Sequence, residues 1–304
     1  MKHYDYTDVR GFVHDDELKK LLCIDRGFDE LLGYLLEDDF LSIDQSVGIP
    51  FFAATRDYVG AVESDGSGSV WIVKPLSGDD VPKTELATGC FLLDFYTRTL
   101  SAPMVITRID GAPYKATKLI LRAEQLTGAD YTEIRQLKEQ LLLDVINRWI
   151  YFDEDRNPNN YMIKYNSRND QIVIAIDFLN ADLLSEELKV VGTNKKFGWE
   201  RRAKTRYLTP LACATCLEYD IGFFDMRLSF FRRLEFPFLK KLFLEILRYN
   251  PDRESTSKRV ADNLLKRIEY VDGYFRSRIA SEKKDGSQKK YREMGKAFTR
   301  FYGN

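Results

Sequence analysis

Three polar side chains lie at the two ends of a short stretch that is prone to form β-structure. Asp155 and Asn160 belong to the polar cluster DRNPNN, and Asp177 follows the apolar run 171–176. The apolar run 161–165 precedes the polar gap NSRND, so the two runs predict a β-hairpin. Because a hairpin returns its ends to one edge, we expect these side chains to converge. Two carboxylates and an amide oxygen suit a hard cation such as Mg²⁺.

A lysine and a glutamate upstream of this cluster could form a charge pair. The run 70–76, VWIVKPL, predicts a strand that carries Lys74 among β-branched and aromatic residues. The segment 80–86 begins a helix with Pro82 near its start, so Glu85 falls in the first turns. A lysine is costly to bury without a partner. We therefore expect a Lys74–Glu85 ion pair.

The elements that must position these residues form a β-rich part followed by a helical part. Residues 1–47 are acidic and prone to form helix. The apolar runs predict further strands at 47–54, 58–63, 104–109 and 116–121. Helical spacing of apolar residues predicts helices at 134–149, at 223–250 with a break at Pro237, and at 258–279.

This order predicts an α+β fold with two lobes. A doubly wound sheet would need repeated alternation of strands and helices, which the sequence lacks. We expect a helical N-terminal extension at 1–46 and an N-lobe at 47–126 built from a sheet and one helix. A helical C-lobe at 127–304 would then carry the polar cluster and the hairpin.

Composition narrows the partners of the chain. The 304 residues have a net charge of −1, so no overall field favours nucleic acid, and no reading motif predicts a specific nucleic-acid partner. The segment 251–304 has 14 Lys or Arg against 8 Asp or Glu, and this basic region could contact an anionic surface peripherally. No apolar run suits a signal or a membrane span, which predicts a cytoplasmic protein or an effector delivered without a cleaved signal.

Two other kinds of site are disfavoured by residue types. Cys213 and Cys216 have redox-motif spacing, but their surroundings resemble a packed helix, which favours structural cysteines. The chain has only His3 and His14 as imidazoles. A zinc site would need further ligands near the cysteines, and a serine hydrolase would need a base close to its nucleophile.

The order of the charged residues resembles the protein-kinase-like fold. Lys74 resembles the strand lysine that pairs with nucleotide phosphates, and Glu85 resembles its helix partner. Asp155 and Asn160 have the D-x-x-x-x-N spacing of a kinase catalytic loop. Asp177, in the sequence IDF, resembles the metal-binding aspartate with its following phenylalanine. The neighbouring acids Asp153 and Glu154 do not satisfy both ends of this spacing.

Within that superfamily, the motifs DRNPNN and AIDF are similar to those of HipA-like kinases and phosphoinositide 3/4-kinases. The helix segment 84–89 after the lysine strand also resembles the HipA-like one, and the resemblance covers residues 47–180. The sequence departs from the pattern at Asn157, where relatives often have histidine, and at Leu179, where glycine is common. The candidate phosphate-covering loop 53–60, AATRDYVG, has a single glycine.

The resemblance implies an ATP- and Mg²⁺-dependent kinase. Lys74 would hold the phosphates with Glu85 fixing its direction, Thr55 and Arg56 would lie in the phosphate-covering loop, and Asn160 and Asp177 would hold Mg²⁺. Asp155 would act as the base, with Arg156 beside it to neutralise charge. We expect a kinase of protein Ser/Thr; the alternatives are a phosphoinositide or small-molecule kinase and a pseudokinase or binding scaffold. The phosphoacceptor stays open.

Overall fold

The computed structural model describes residues 9–50, 56–126, 134–153, 155, 158–188 and 221–285, with side chains in the last range described to 277. None of the helices in these ranges combines the length and apolar character that crossing a bilayer requires. The segments at 127–133 and 189–220, with Cys213 and Cys216, lie outside these ranges. The predictions made for them therefore stay predictions.

A five-stranded antiparallel sheet forms the N-terminal lobe. Its strands, in spatial order, are β1 (Leu41–Ile43), β2 (Val59–Glu63), β3 (Val70–Pro75), β5 (Ala112–Lys118) and β4 (Met104–Ile109). Helices α1 (Asp16–Leu21) and α2 (Phe28–Leu35) precede the sheet, and α3 (Val81–Tyr96) links β3 to β4. Pro82 lies in the first turn of α3, where a missing backbone N–H costs no helical hydrogen bond.

The two faces of this sheet differ in what covers them. On the outer face, Trp71 and Lys118 lie opposite each other, and the ring of Phe40 contacts Trp71 edge-on at 5.5 Å. The Lys118 ammonium lies 3.2 Å from the Glu63 carboxylate and donates to the Lys20 carbonyl at the end of α1. The N-terminal helices thus cover the outer face, and the opposite, inner face carries Lys74.

A second sheet and a long helix begin the C-terminal lobe. Helix α4 (Arg135–Ile150) leads to a short 3-10 turn, Pro158–Asn160, and then to the antiparallel hairpin β7 (Tyr161–Tyr165) and β8 (Gln171–Ala175). The two-residue strand β6 (Glu124–Gln125) pairs with β7. Buried side chains of α4 pack under this hairpin, so the helix supports the polar cluster that the turn carries.

Three further helices complete the described part of this lobe. They are α5 (Ile221–Phe231), α6 (Phe236–Ile246) and α7 (Arg253–Asp285). Pro237 lies in the first turn of α6 and marks the start of a new helix, as the predicted break at this residue requires. The ring of Phe275 on α7 stacks on Trp149 of α4 and on Phe224 of α5, which joins the three helices.

The predicted α+β class is confirmed: a small β-rich N-lobe precedes a mainly helical C-lobe, the arrangement expected of a protein-kinase-like fold. One strand prediction was wrong. The first strand is Leu41–Ile43, inside the stretch expected to be helical, and the described part of 47–54, up to residue 50, is not a strand. Strand β6 was not predicted, because two polar residues show no alternation.

Candidate functional site

The base of the β7–β8 hairpin brings Asn160 and Asp177 together. Tyr161 pairs with Ala175, and the backbone N–H of Ile176 donates to the Asn160 carbonyl at 2.9 Å. This bond continues the ladder by one residue on each strand, so Asp177 follows directly after the paired position. The convergence expected from the hairpin is therefore present in the backbone.

Asn160 also binds the backbone of Asp155. Its side-chain Nδ2 donates to the Asp155 carbonyl at 2.8 Å, and Asn160 is 8% exposed. The bond uses the amide hydrogens, so the oxygen Oδ1 is the end of the side chain that could bind a cation. One buried amide therefore fixes the loop of Asp155 beside the end of the hairpin that leads to Asp177.

Asp177 has an uncommon backbone conformation. Its φ is 59°, in the left-handed region that non-glycine residues rarely adopt, and such conformations cluster at functional sites. Its Oδ1 accepts from the Leu179 N–H at 3.3 Å, which closes a tight turn. The next side chain, Phe178, is buried with the Arg148 guanidinium 4.5 Å from its ring centroid. This anchor holds the turn and leaves the Asp177 carboxylate half-buried at the surface of the lobe.

Asp153 and Asn180, both in the described part of the chain, help to orient Asp155. Its backbone N–H donates to Asp153 Oδ1 at 3.1 Å, and Asn180 Nδ2 donates to Asp155 Oδ2 at 3.0 Å. Asp153 is fully buried and pairs with Ala181 in an isolated β-bridge. It therefore fixes the backbone of the loop that carries Asp155. The sequence did not lead us to predict a role for Asn180. The available signal was its position, three residues after Asp177 and therefore near the end of the hairpin.

Lys74 lies on the inner face of the N-terminal sheet and is half-buried. The register of β3 and β5 places it directly opposite Lys115, a second lysine that the sequence analysis did not consider. Among the residues that the structure describes, no hydrogen bond or ion pair joins Lys74 to another group. The inner face thus presents lysines where the sequence predicted a lysine–glutamate pair.

The expected partner of Lys74 is engaged elsewhere. Glu85 is fully buried, and its Oε1 accepts from the backbone N–H of Tyr249 at 2.7 Å in the connection between α6 and α7. The predicted Lys74–Glu85 ion pair is therefore absent from the described contacts. The reason is the packing of α3 on α6. Gly89 of α3 lies against the ring of Phe243 on α6. This close approach directs the first turns of α3 toward the connection between α6 and α7.

The surroundings of Glu85 favour its neutral form. Burial raises the pKa of this carboxyl to about 7, against the opposing effects of the Tyr249 N–H and the nearby Arg248 charge. Its second oxygen, Oε2, is buried with no hydrogen-bond partner among the described residues. The described contacts offset little of the free energy that burying an ionised Glu85 carboxylate costs.

The remaining predicted site residues divide into one that is described and two that are not. Arg56 is exposed at the turn that precedes β2. Thr55 and Arg156 lie outside the described residues, as does Asn157. Their predicted roles at the phosphates and beside Asp155 stay predictions.

The donor set at the hairpin suits Mg²⁺ better than a transition metal. Within the described ranges, no group of three or more His, Cys, Asp or Glu side chains is arranged to hold a metal ion. Asn160 and Asp177 offer an amide oxygen and a carboxylate. Because Mg²⁺ keeps several waters and commonly binds through one or two carboxylates plus substrate phosphates, these residues are compatible with it.

Comparisons with known proteins find structural similarity only. Neither a protein-family profile nor a curated protein matches the sequence. Among solved structures, the chain is similar to the proinflammatory kinase CtkA of Helicobacter pylori, with a TM-score of 0.48 and 10% identity over 80% of this chain and 99% of that one. It also matches the pseudokinase domain of BIR2, an immune regulator of the RLK/Pelle family, with a TM-score of 0.26 and 12% identity over 91% and 94% of the two chains.

Proposed function

We propose that this chain is an ATP- and Mg²⁺-dependent phosphotransferase that acts on protein serine or threonine hydroxyls in the manner of HipA-like kinases. The observation that carries the proposal is the position of Asn160, which bonds the Asp155 carbonyl through its side chain and the Ile176 N–H through its backbone. Asn160, itself a candidate metal ligand, therefore joins the candidate base to the strand end that precedes the second candidate ligand, Asp177. Phosphoryl transfer depends mainly on such positioning and on charge neutralisation.

The side chains divide the chemistry between the lobes. Asp155, oriented by Asn180, would accept the proton of the acceptor hydroxyl as that oxygen attacks the terminal phosphorus of ATP and the bond from this phosphorus to the ADP oxygen breaks. Asn160 and Asp177 would hold Mg²⁺, which, when bound, neutralises charge on the phosphates. Lys74 on the facing sheet would bind the phosphates from the other side.

A binding scaffold is the second candidate, and one observation favours it. Glu85 bonds the Tyr249 N–H at 2.7 Å, so Lys74 lacks the partner that would direct it toward the phosphates. A protein of this fold could then bind a nucleotide, or a partner, without transferring phosphate. Turnover separates the two candidates, and binding alone does not.

Asp155→Asn tests the proposal. The substitution keeps the size of the side chain and an acceptor for Asn180 but removes the base. We expect phosphorylation activity to fall about 10²–10⁴-fold, as the loss of a positioned base usually does. The thermal shift produced by Mg-ATP should stay within experimental error of that of the wild type. The assay follows radiolabel from ATP into the protein itself, into added protein and into phosphoinositide vesicles.

Glu269→Gln is the matched control, since Glu269 is an exposed acid on α7, far along the chain from the hairpin. It should leave both activity and binding unchanged. A wild-type protein with no Mg-ATP thermal shift, no ATP hydrolysis and no label transfer would contradict the enzyme proposal. Label in vesicles but not in protein would favour a phosphoinositide acceptor, and binding without turnover would favour the scaffold.

A further inference from the structure

Lys115 is a buried lysine on the inner face of the sheet, beside Lys74. The two residues are Cα partners in the antiparallel pair of β3 and β5. Directly opposed residues in such a pair project from the same face, with Cβ atoms about 5 Å apart. Lys115 is 7% exposed, whereas Lys74 is half-buried. The inner face therefore carries two adjacent lysines, one of them deep.

The ammonium of Lys115 is directed past Lys74. Its Nζ lies 5.6 Å from the ring centroid of Tyr58. Tyr58 immediately precedes β2, and the pairing of Val59 with Val73 places it level with Lys74 on the far side of β3. Since neighbouring strands are about 4.8 Å apart, the Lys115 side chain must extend across the width of β3 to reach this ring. Both lysines therefore belong to one patch that ends at the ring of Tyr58.

Among the described residues, no carboxylate forms an ion pair with Lys115. In the part of the chain that the structure describes, no hydrogen bond or ion pair joins it to another group, and the Tyr58 ring is its only charge-stabilising contact. Lys118, two residues later and on the outer face, is buried to a similar degree but has Glu63 at 3.2 Å and the Lys20 carbonyl at 3.0 Å. Within the described ranges, strand β5 therefore pairs the buried lysine of the outer face with a carboxylate and gives the buried lysine of the inner face no such partner.

We propose that Lys115 is a second phosphate-binding cation, which acts with Lys74 to bind the polyphosphate of a nucleoside triphosphate. This inference rests on the proposed function and assigns to the same site a residue that the motif resemblance does not contain. Two neighbouring ammonium groups repel each other, and a buried charge without a partner lowers stability. An anion with several charges removes both costs when it binds. Its outer phosphates would then be held by Lys74 and Lys115 together.

Lys115→Met tests this inference by binding, without reference to turnover. Calorimetric titration with Mg-ATP should show about tenfold weaker binding than for the wild type, because a charged hydrogen bond to phosphate is lost. AMP, which lacks the outer phosphates, should bind both proteins within a factor of about two on the same reasoning. Inorganic tripolyphosphate should lose affinity as ATP does. Lys115→Arg, which keeps the charge, should retain most of the ATP affinity.

The ligand-free variant gives an independent measurement. Lys115→Met removes an uncompensated buried charge and keeps an unbranched side chain, so its thermal midpoint should equal or exceed that of the wild type. Lys83→Met, which removes an exposed lysine at the start of α3, is the matched control and should change neither binding nor midpoint. Wild-type ATP binding that Lys115→Met leaves undiminished would overturn this inference alone. A wild type that binds neither ATP nor tripolyphosphate would overturn the proposed function with it.

Discussion

At the scale of single residues, Glu85 couples the protonation of the protein to its stability. Burial raises the pKa of this carboxyl to about 7, against an ordinary value of 4.5. The unfolded chain therefore releases this proton at a lower pH than the folded protein does. As pH rises from 4.5 toward 7, the unfolded state is increasingly favoured, and the loss of stability is complete above the folded pKa.

Glu85→Gln should remove this part of the pH dependence. Glutamine imitates the neutral acid and keeps an oxygen for the Tyr249 N–H, which the wild-type carboxyl accepts at 2.7 Å. We expect the two proteins to have similar free energies of unfolding near pH 4.5, and the variant to be more stable by about 3 kcal/mol at pH 8. Denaturant titrations from pH 4.5 to 8 measure the difference. A constant difference across this range would show that Glu85 keeps an ordinary pKa.

The sequence indicated contacts between residues that are close along the chain, and it did not indicate contacts between residues that are far apart. Asp155 and Asn160 are five positions apart, and a hairpin joins them to Asp177, so spacing alone could indicate their convergence. Glu85 and Tyr249 are 164 positions apart, and their bond depends on how a helix packs. Lys115 was missed for a related reason. Its pairing with Lys74 follows from the order of strands in the sheet, which strand patterns do not specify.

At the scale of secondary-structure elements, helix α3 determines where Glu85 lies. One side of α3 packs on the sheet and another on α6, where Gly89 faces Phe243. A Cβ atom added at Gly89 would lie 2.3 Å from Cε1 of the Phe243 ring and 2.8 Å from its Cζ. Only a residue without a side chain permits this approach. The glycine therefore allows the close packing that directs the first turns of α3 toward Tyr249.

Gly89→Ala should destabilise the protein by about 1–3 kcal/mol, because the overpacking exceeds the helical preference for alanine. Gly33→Ala in α2 is the matched control, since its added Cβ would meet nothing within 4 Å. That control should stabilise the protein by about 0.5–1 kcal/mol. Denaturant midpoints measure both. Adding Phe243→Leu to Gly89→Ala should cost less than the two single effects together, and full additivity would show that these residues do not interact.

The accuracy of the element predictions followed the length of each element. The 16-residue helices α3 and α4 have enough apolar residues to show a helical period. The start of α3 and both ends of α4 were predicted within one residue. Strand β1 has three residues and β6 has two, which is too short for a period of two to be visible. Such strands form because a neighbouring strand offers unpaired backbone N–H and C=O groups. The sequence of the short strand itself therefore does not indicate the pairing.

At the scale of the whole molecule, a buried ionic network joins the two lobes. Asp94 on α3 accepts hydrogen bonds from Asn147 at 2.7 Å and from Tyr151 at 2.9 Å, and forms an ion pair with Arg148. Burial alone would lower the pKa of Arg148, but Asp144 and Asp94 raise it well above its ordinary value. Arg148 also covers Phe178, next to Asp177. Helix α3 of the N-lobe, helix α4 of the C-lobe and the turn that carries Asp177 thus meet at the Arg148 guanidinium.

Asp94→Asn should therefore weaken both lobes together. The substitution keeps the shape of the side chain but removes the charge that Arg148 requires, and removing one partner of a buried pair typically costs about 3–5 kcal/mol. We expect somewhat less here, about 2–4 kcal/mol, because Asp144 still binds Arg148. Asp16→Asn is the control: it weakens the exposed pair with Lys19 and should cost less than about 1 kcal/mol.

Hydrogen exchange in increasing denaturant measures the effect in each lobe separately. Peptides from β3 report on the N-lobe and peptides from α4 on the C-lobe. If Asp94 connects the lobes, both sets of peptides lose protection at one midpoint, and Asp94→Asn lowers that midpoint equally for both. A variant in which α4 loses protection early while β3 keeps its wild-type midpoint would show that the lobes are stabilised independently. In that case Lys74 and Lys115 would be positioned by the N-lobe alone.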